Sequence, residues 1–249
     1  DKTLLILDEG SDANLINFIR FARELKKDNC NIIIQSGEQA HALLEKQPWI
    51  DSVISPDTFP KHDYHIYIGS LMNVLKLNPN NVSQDFPYIE LVKENLDIIK
   101  NDKLNIGLVL ESDRDSNAHD DESMDEKYFD KLFTKNHNVI CLDKYTDIQN
   151  LSSLYSHKHD YSNLEELCNV IAQLDLVITI DHMVAHLAGA LNIDTFLMIP
   201  CVPNWRWEIS HRNTTPWYKS VKIFRQDMPD DWASVIKKVK EELKEINNG

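Results

Sequence analysis

The sequence of 249 residues is poor in glycine. Its six glycines are Gly10, Gly37, Gly69, Gly107, Gly189 and Gly249, and no two stand close enough to build a GxGxxG turn or a P-loop. That excludes the common dinucleotide-dependent dehydrogenases and the P-loop kinases, so any phosphate has to be held in another way. Positive charge is scarce as well. Lys and Arg number 26 against 40 Asp and Glu, a formal net charge of −14. Such a chain repels phosphate backbones and anionic membrane surfaces, so nucleic acid is not an expected partner. A small anionic ligand stays compatible, because one Arg or the amino end of a helix makes a local positive site. No run of 18 apolar residues occurs, and no membrane span is expected. The four cysteines, Cys30, Cys141, Cys168 and Cys201, form no CxxC pair and read as reduced core residues of a cytoplasmic protein. The chain starts at Asp1 rather than Met, as a processed product or a piece of something longer would. Its first apolar run, Leu4 to Leu7, has no basic flank and reads as a strand rather than a signal peptide.

What is present is an ordinary globular composition, 42% hydrophobic and 27% charged, in a length that suits two compact α/β domains. Apolar runs at 3–7, 31–35, 53–54 and 64–68 predict strands, and the spacing of Leu15, Phe18, Ile19, Ala22 and Leu25 predicts an amphipathic helix over 14–27. Helices are also expected at 38–46 and 89–100. The pattern restarts after Asn101-Asp102, which sets a domain boundary near residue 100 and gives an N-terminal domain of 1–100 and a C-terminal domain of 101–249. In the second domain strands are expected at 105–110, 138–142, 176–180 and 195–199. Helices are expected at 125–133, 164–174 and 182–191, with a terminal amphipathic helix over 232–246. The run from Asp113 to Asp125 reads as a polar, acidic loop. Strands alternating with helices mean mostly parallel sheets covered on both faces.

The chemistry concentrates in Asp175-Leu-Val-Ile-Thr-Ile-Asp181-His182-Met183-Val184-Ala-His186-Leu-Ala-Gly189-Ala-Leu191. A buried strand ends at Ile180 and a helix begins at once, with Asp181 placed to cap it. The peptide N–H groups of His182, Met183 and Val184 are candidates to hold a diphosphate, since a helix amino end carries unsatisfied donors and a positive dipole. The same geometry also serves a capped core helix with no ligand. His182 and His186 share a helix face, but no Glu lies between them and no third ligand is evident, so no metal is expected. His186 is expected to bond locally and His182 to border the ligand crevice.

A Pro-punctuated stretch follows the strand at 195–199: Pro200-Cys-Val-Pro203-Asn-Trp205-Arg206-Trp207-Glu208, then His211-Arg212, Thr215-Pro-Trp217-Tyr218 and Phe224-Arg-Gln226. Three of the five tryptophans fall here. Trp can stack a base or sugar, and Arg can pair with phosphate oxygens. The expectation is that one Trp packs while the Arg residues face the ligand crevice.

Taken together these motifs resemble the family 9, heptosyltransferase-like glycosyltransferase domains, most of all those that follow tetratricopeptide repeats in bacterial proteins. The similarity is dense over about 160–226 and weaker at His65, Ser70-Leu71, Phe86-Pro87-Tyr88 and Ile106-Gly107-Leu108. The resemblance implies an α/β fold of GT-B type, two Rossmann-like domains whose parallel sheets face a central cleft. It implies a nucleotide-sugar donor held mainly by the C-terminal domain without a metal or cofactor, and an unknown acceptor. The donor-binding residues it points to are Asp181, His182, Met183, Val184, His186, Pro200, Trp205, Arg206, Arg212 and Trp217.

The sequence departs from that family at three places. The family's Gly-Asp pair at the start of the first helix, whose Asp is the presumed base, falls on Ala13-Asn14, and an amide takes no proton from a hydroxyl. The Thr or Ser after the crevice Asp is His182, and the basic loop after the first strand of the second domain is the acidic run 113–126, with Arg114 and Lys127 its only cations. The catalytic candidates are therefore Asp12 (with Asp8), Asn14 as the position of the missing base, and His182. Three readings remain: an inverting, metal-independent glycosyltransferase; a degenerate domain kept as a nucleotide-binding or protein-interaction scaffold; and a nucleotide-sugar isomerase or epimerase.

Overall fold

The computed structural model describes residues 2–26, 29–78, 80–91, 95–111, 124–129, 132–144, 157–207 and 212–248. The chain divides into two compact units, Asp1–Glu94 with Tyr161–Asn169, and Asn95–Asp160 with Val170–Gly249. Most of the acidic run, Arg114 included, and residues Glu208 to His211 lie outside the described residues.

The first unit holds a four-stranded parallel sheet of order β3-β2-β1-β4, built from β1 (Lys2–Leu7), β2 (Cys30–Gln35), β3 (Ser52–Ile54) and β4 (Tyr64–Tyr67). The run Ile32-Ile33-Ile34 is buried throughout, as a strand covered on both faces requires. Helix α1 (Asp12–Leu25) starts where Ser11 Oγ accepts the N–H of Asn14 at 3.3 Å, and Asp12 favours its positive end. Its apolar face, Leu15, Phe18, Ile19 and Ala22, is buried. Arg20 is buried too, its guanidinium 5.0, 5.7 and 5.5 Å from the ring centroids of Phe21, Phe86 and Tyr88. Two short helices, α2 (Glu38–Glu45) and α3 (Leu71–Val74), and a 3₁₀ turn, Ile68–Ser70, also lie among the described residues of this unit.

The second unit holds a six-stranded parallel sheet of order β10-β9-β8-β5-β6-β7. Its strands are β5 (Leu104–Leu108), β6 (His137–Cys141), β7 (His157–Lys158), β8 (Leu176–Thr179), β9 (Thr195–Ile199) and β10 (Val221–Arg225). Helix α4 (Leu164–Ile171) precedes β8, and α5 (Met183–Leu191) packs on β8 and β9. Helix α6 (Trp232–Asn248) packs on β10, whose outer side also receives an antiparallel bridge between Thr214 and Lys222. At the amino end of this sheet Asn105, Asn138 and Asp175 form a polar knot. Asp175 Oδ2 accepts the Asn105 N–H at 2.7 Å, and Asn138 Nδ2 donates to Asn105 Oδ1 at 2.9 Å.

Two expected helices differ. Over 89–100 the described residues are irregular, because side chains fix that backbone in place of helical bonds: Asn138 Nδ2 donates to Ile98 O at 2.7 Å, and Asn105 Nδ2 donates to Lys100 O at 3.0 Å. Over 125–133 the described part is one 3₁₀ turn, Glu126–Phe129. The strands β7 and β10 and the short α3 are additions to the sequence-based elements. All four cysteines are free, but Cys30 and Cys201 are half-buried where core positions were expected.

Helix α5 lies close to its neighbours because Gly189 has no side chain. A Cβ there would stand 2.4 Å from the ring of Tyr218. Replacing a helical Gly by Ala normally gains about 1 kcal/mol. Here overpacking of about 1–3 kcal/mol opposes and exceeds that gain. Gly189→Ala is therefore expected to lower the midpoint of urea unfolding; an unchanged or higher midpoint would show that the ring yields freely.

Candidate functional site at the carboxyl ends of β5, β6 and β8

In the second unit the chain runs from β5 outward through β6 and β7, then returns to the other side of β5 for β8, β9 and β10. The strand order thus reverses between β5 and β8, and the crevice outside the carboxyl ends of such a pair is where open α/β sheets bind ligands. Three elements meet there. β5 runs on into Val109, whose N–H donates to Ile178 O at 3.0 Å, and then into Leu110 and Glu111. β6 runs on into Asp143. β8 runs on into Asp181, His182 and the amino end of α5.

His182, not Asp181, caps α5. Its backbone is extended (φ −145, ψ 157) and its Nδ1 accepts the Val184 N–H at 3.1 Å. The Ala185 N–H donates to the His182 carbonyl at 2.9 Å. Of the amides singled out from the sequence, that of Val184 is therefore engaged by the imidazole. The aspartate was the more obvious cap from residue type alone, but the ring nitrogen sits at the position that reaches the second helical amide. With Nδ1 accepting, the ring proton is carried on Nε2. In this tautomer Nε2 is a donor, which suits contact with an anion rather than abstraction of a proton. Met183 is buried and Val184 fully so, and Asp181 is half-buried.

Asp143 was not singled out in the sequence. It is 1% exposed, and its Oδ1 accepts the N–H groups of Leu110 at 3.1 Å and Glu111 at 3.0 Å. Burial pushes its carboxyl up to about 6; the Glu111 and Leu110 amides and the nearby His182 ring pull the other way, and Glu111's own charge adds to the rise. The Cys141 Sγ lies 3.7 Å from Asp143 Oδ2, and burial first, then that carboxylate, pushes the thiol up to about 12. The signal for Asp143 in the sequence was slight: one acid directly ending the apolar run Val139 to Leu142.

The segment after β9 is packed against α5. Pro200 is half-buried directly after β9. Trp207 is 1% exposed and Trp205 61%, so one tryptophan packs and the other faces solvent. His186 is 0% exposed; its Nδ1 is 2.8 Å from the Tyr218 hydroxyl, and its ring stacks on Trp207 with centroids 5.1 Å apart. Trp217 Nε1 donates to Arg206 O at 2.6 Å. Arg206 is half-buried, its Nη1 donating to Asn204 Oδ1 at 3.1 Å and its guanidinium 5.6 Å from the Trp205 ring centroid. Arg212 stands elsewhere. It is exposed and lines a cavity of about 640 Å³ beside β10 and α6, with Cys201, Lys222, Arg225 and Gln226. None of the residues from Asp181 to His186 lines that cavity.

Asp12 and Asn14 belong to the first unit, in the first turn of α1. Asn14 Oδ1 is buried and has no hydrogen-bond partner among the described residues. At the carboxyl ends of β1 and β4, Asp8 Oδ1 accepts the Gly10 N–H at 3.1 Å and Glu9 Oε2 accepts the Gly69 N–H at 2.8 Å. Gly10 has φ +77, a conformation that favours glycine. Among the described residues no group of three or more His, Cys, Asp or Glu could hold a metal ion, and no helix is long and apolar enough to cross a membrane.

No protein-family profile matches the sequence, and no curated protein matches it. Solved structures do. The chain is similar to ADP-heptose lipopolysaccharide heptosyltransferase II of E. coli, at a TM-score of 0.65 and 9% identity over 97% of both chains. It is similar to a family 9 glycosyl transferase from Veillonella parvula, at 0.64 and 11% identity over 98% of this chain and 89% of that one. It is similar to the E. coli heptosyltransferase WaaC with ADP, at 0.65 and 10% identity over 98% and 99%. The chain has the fold of these enzymes: α/β, with two parallel sheets.

The raised carboxyl of Asp143 makes a pH test. Its folded value near 6 exceeds the ordinary 3.8, so the folded chain holds this proton more tightly than the unfolded chain. The stability it contributes is complete below about pH 4 and is lost as pH rises through about 6. Asp143→Asn keeps an oxygen for the Leu110 and Glu111 amides and removes the buried charge. It is expected to raise stability at pH 7.5 by on the order of 2 kcal/mol and to change little at pH 4. Urea unfolding at both pH values measures this, and an equal effect at the two would contradict it.

Proposed function

We propose that this chain is an inverting, metal-independent glycosyltransferase that takes a hexosyl or heptosyl group from a nucleotide-sugar donor. The observation that carries the proposal is the amino end of α5, capped by His182 at the point where the strand order reverses, in a fold shared with heptosyltransferases. On this reading Asp181, His182, Met183 and Val184 border the donor's diphosphate, with His182 Nε2 as a donor to it. Arg206 contributes positive charge from the segment packed on α5, and Pro200, Trp205 and Trp217 shape the nucleotide's surroundings. The neighbouring WaaC was solved with ADP and with an ADP-2-deoxy-2-fluoro heptose, which makes an adenine nucleotide the first ligand to try. No cofactor is invoked. The acceptor is a hydroxyl compound, and the reading extends to a cytoplasmic setting and to kinship with the domains that follow tetratricopeptide repeats.

The transfer step needs a base for that hydroxyl. Asp12, on the first turn of α1, is proposed for it, because position 14 carries an amide and His182 Nδ1 is engaged by a helix amide. The proton passes to the carboxylate, the acceptor oxygen bonds to the anomeric carbon from the face opposite the diphosphate, and the diphosphate leaves with the bonding electron pair. Helix dipole and Arg206 stabilise the charge it gains.

Thermal shift with ADP, UDP, GDP and their sugar conjugates tests the binding half of the proposal. A nucleotide at a hundred times its dissociation constant adds about 2.7 kcal/mol and moves the melting point by several degrees. A shift with one base, reduced in Arg206→Ala, is expected, whereas Arg212→Ala tests whether the β10–α6 cavity takes part at all. Release of nucleoside diphosphate from the matching donor, falling at least about a hundredfold in Asp12→Ala, tests the chemistry. Binding without turnover would assign the chain the scaffold role instead.

A further inference from the structure

His186 sits on the helix that the proposed donor would meet, and residue type alone suggests a ligand contact. Its surroundings suggest otherwise. It is the fourth residue of α5, about 5 Å along the axis from the first amide, and it is wholly buried. One ring nitrogen is 2.8 Å from the Tyr218 hydroxyl. Its face lies against Trp207 at an interplanar angle of 22°. Tyr218 in turn rests on Gly189, one turn further along the same helix. An aliphatic residue at 186 would remove the hydrogen bond to the buried tyrosine hydroxyl.

Three of the contacts that hold the 3₁₀ turn Trp205–Trp207 are the stack of Trp207 on His186, the Trp217 bond to the Arg206 carbonyl, and the bond from Arg225 Nη2 to the Trp207 carbonyl at 3.1 Å. Only the first of these ties the turn to the helix. Arg206 is the residue immediately before the stacked tryptophan, and its guanidinium is steadied by Asn204 and Trp205.

We infer that His186 is a positioning residue, which through Trp207 and Tyr218 holds the turn that carries Arg206 against α5 and does not itself touch the bound nucleotide. The inference rests on the nucleotide reading of that helix. It separates two roles that sequence alone merges, a ligand contact and the orientation of one.

A double-mutant cycle tests it, using the full chain and calorimetric titration of ADP, UDP and GDP. Tyr218→Phe removes one hydroxyl, and His186→Asn keeps a polar atom close to where Nδ1 stood. In the Arg206 background Tyr218→Phe and His186→Ala are each expected to weaken nucleotide binding about tenfold, a coupling of ordinary size for residues sharing one network. His186→Asn recovers most of the loss. In the Arg206→Ala background the same changes have less than about a twofold effect, because the group they orient is gone. Equal losses in both backgrounds would mean direct contact or general loosening and would overturn the inference, as would tight binding in every His186 and Tyr218 variant. Should Arg206→Ala itself bind as the unchanged chain does, the inference fails while the nucleotide reading stands. If the unchanged chain binds none of the three nucleotides, both fail. Urea midpoints for each variant identify chains that have lost their fold, and Tyr218→Phe, the mildest change, then decides.

Discussion

One tyrosine ring sets the distance between α5 and everything that follows β9. Tyr218 touches Gly189 with its face and His186 with its hydroxyl, two positions on a single helix face. The first contact opposes a larger side chain at 189, and the second favours a polar one at 186. Once that ring is fixed, Trp207 packs at a tilt against it while stacking on His186, and Val221 follows three residues later as the start of β10. The small residues of α5 are thus not merely a close fit to the sheet. They are the seat of a buried aromatic cluster of His186, Trp207 and Tyr218.

A second constraint is electrostatic. An excess of acid over base marks the whole sequence, and one of those acids, Asp143, has been drawn inside, where it takes up two backbone amides at the end of β5. With Asp143 as their acceptor, those two amides are already engaged. The site therefore presents α5 and His182 on the β8 side and an internal carboxylate on the β6 side, an asymmetry that favours a ligand with its anionic portion toward α5 and its neutral or donor-bearing portion toward Asp143. A buried carboxylate lowers stability at neutral pH, and its retention at the point where the strand order reverses fits a residue kept for more than packing.

Much of the fold was legible because continuous apolar runs bounded by helical periodicity have few other solutions. Residues 176–180 and 195–199 could only be buried parallel strands, and the Asp181-to-Leu191 segment could only be a helix leaving one of them. What misled was periodicity without long-range information. The apolar spacing through Ile89, Leu96 and Ile99 is helical on paper, but Asn138 and Asn105, distant or unremarkable in sequence, hold that backbone in irregular form. β10 was hidden because its residues Val221 to Arg225 carry no turn signal apart from the motif Phe224-Arg225-Gln226, which drew attention as loop chemistry. In the candidate site the partners were hidden: the capping role falls to His182 rather than Asp181, and Asp143 meets the Leu110 and Glu111 amides only once the ends of β5 and β6 stand side by side. Such information exists only in strand order, which no local window contains.

The bridge from Thr214 to Lys222 has a meaning beyond local geometry. A parallel sheet ends in strands whose outer amides and carbonyls invite another chain to join them. Here Ile223 N–H donates to Asn213 O at 2.8 Å, so the chain's own approach to β10 occupies the rim of the larger sheet. At the opposite rim β7 is two residues long, and in the smaller sheet the outer strands β3 and β4 have three and four. Covered or too short, these borders give a neighbouring molecule little ladder to extend, and the mutual repulsion of strongly acidic chains works in the same direction. Among the described residues, the borders of both sheets thus limit the sideways extension of the strands.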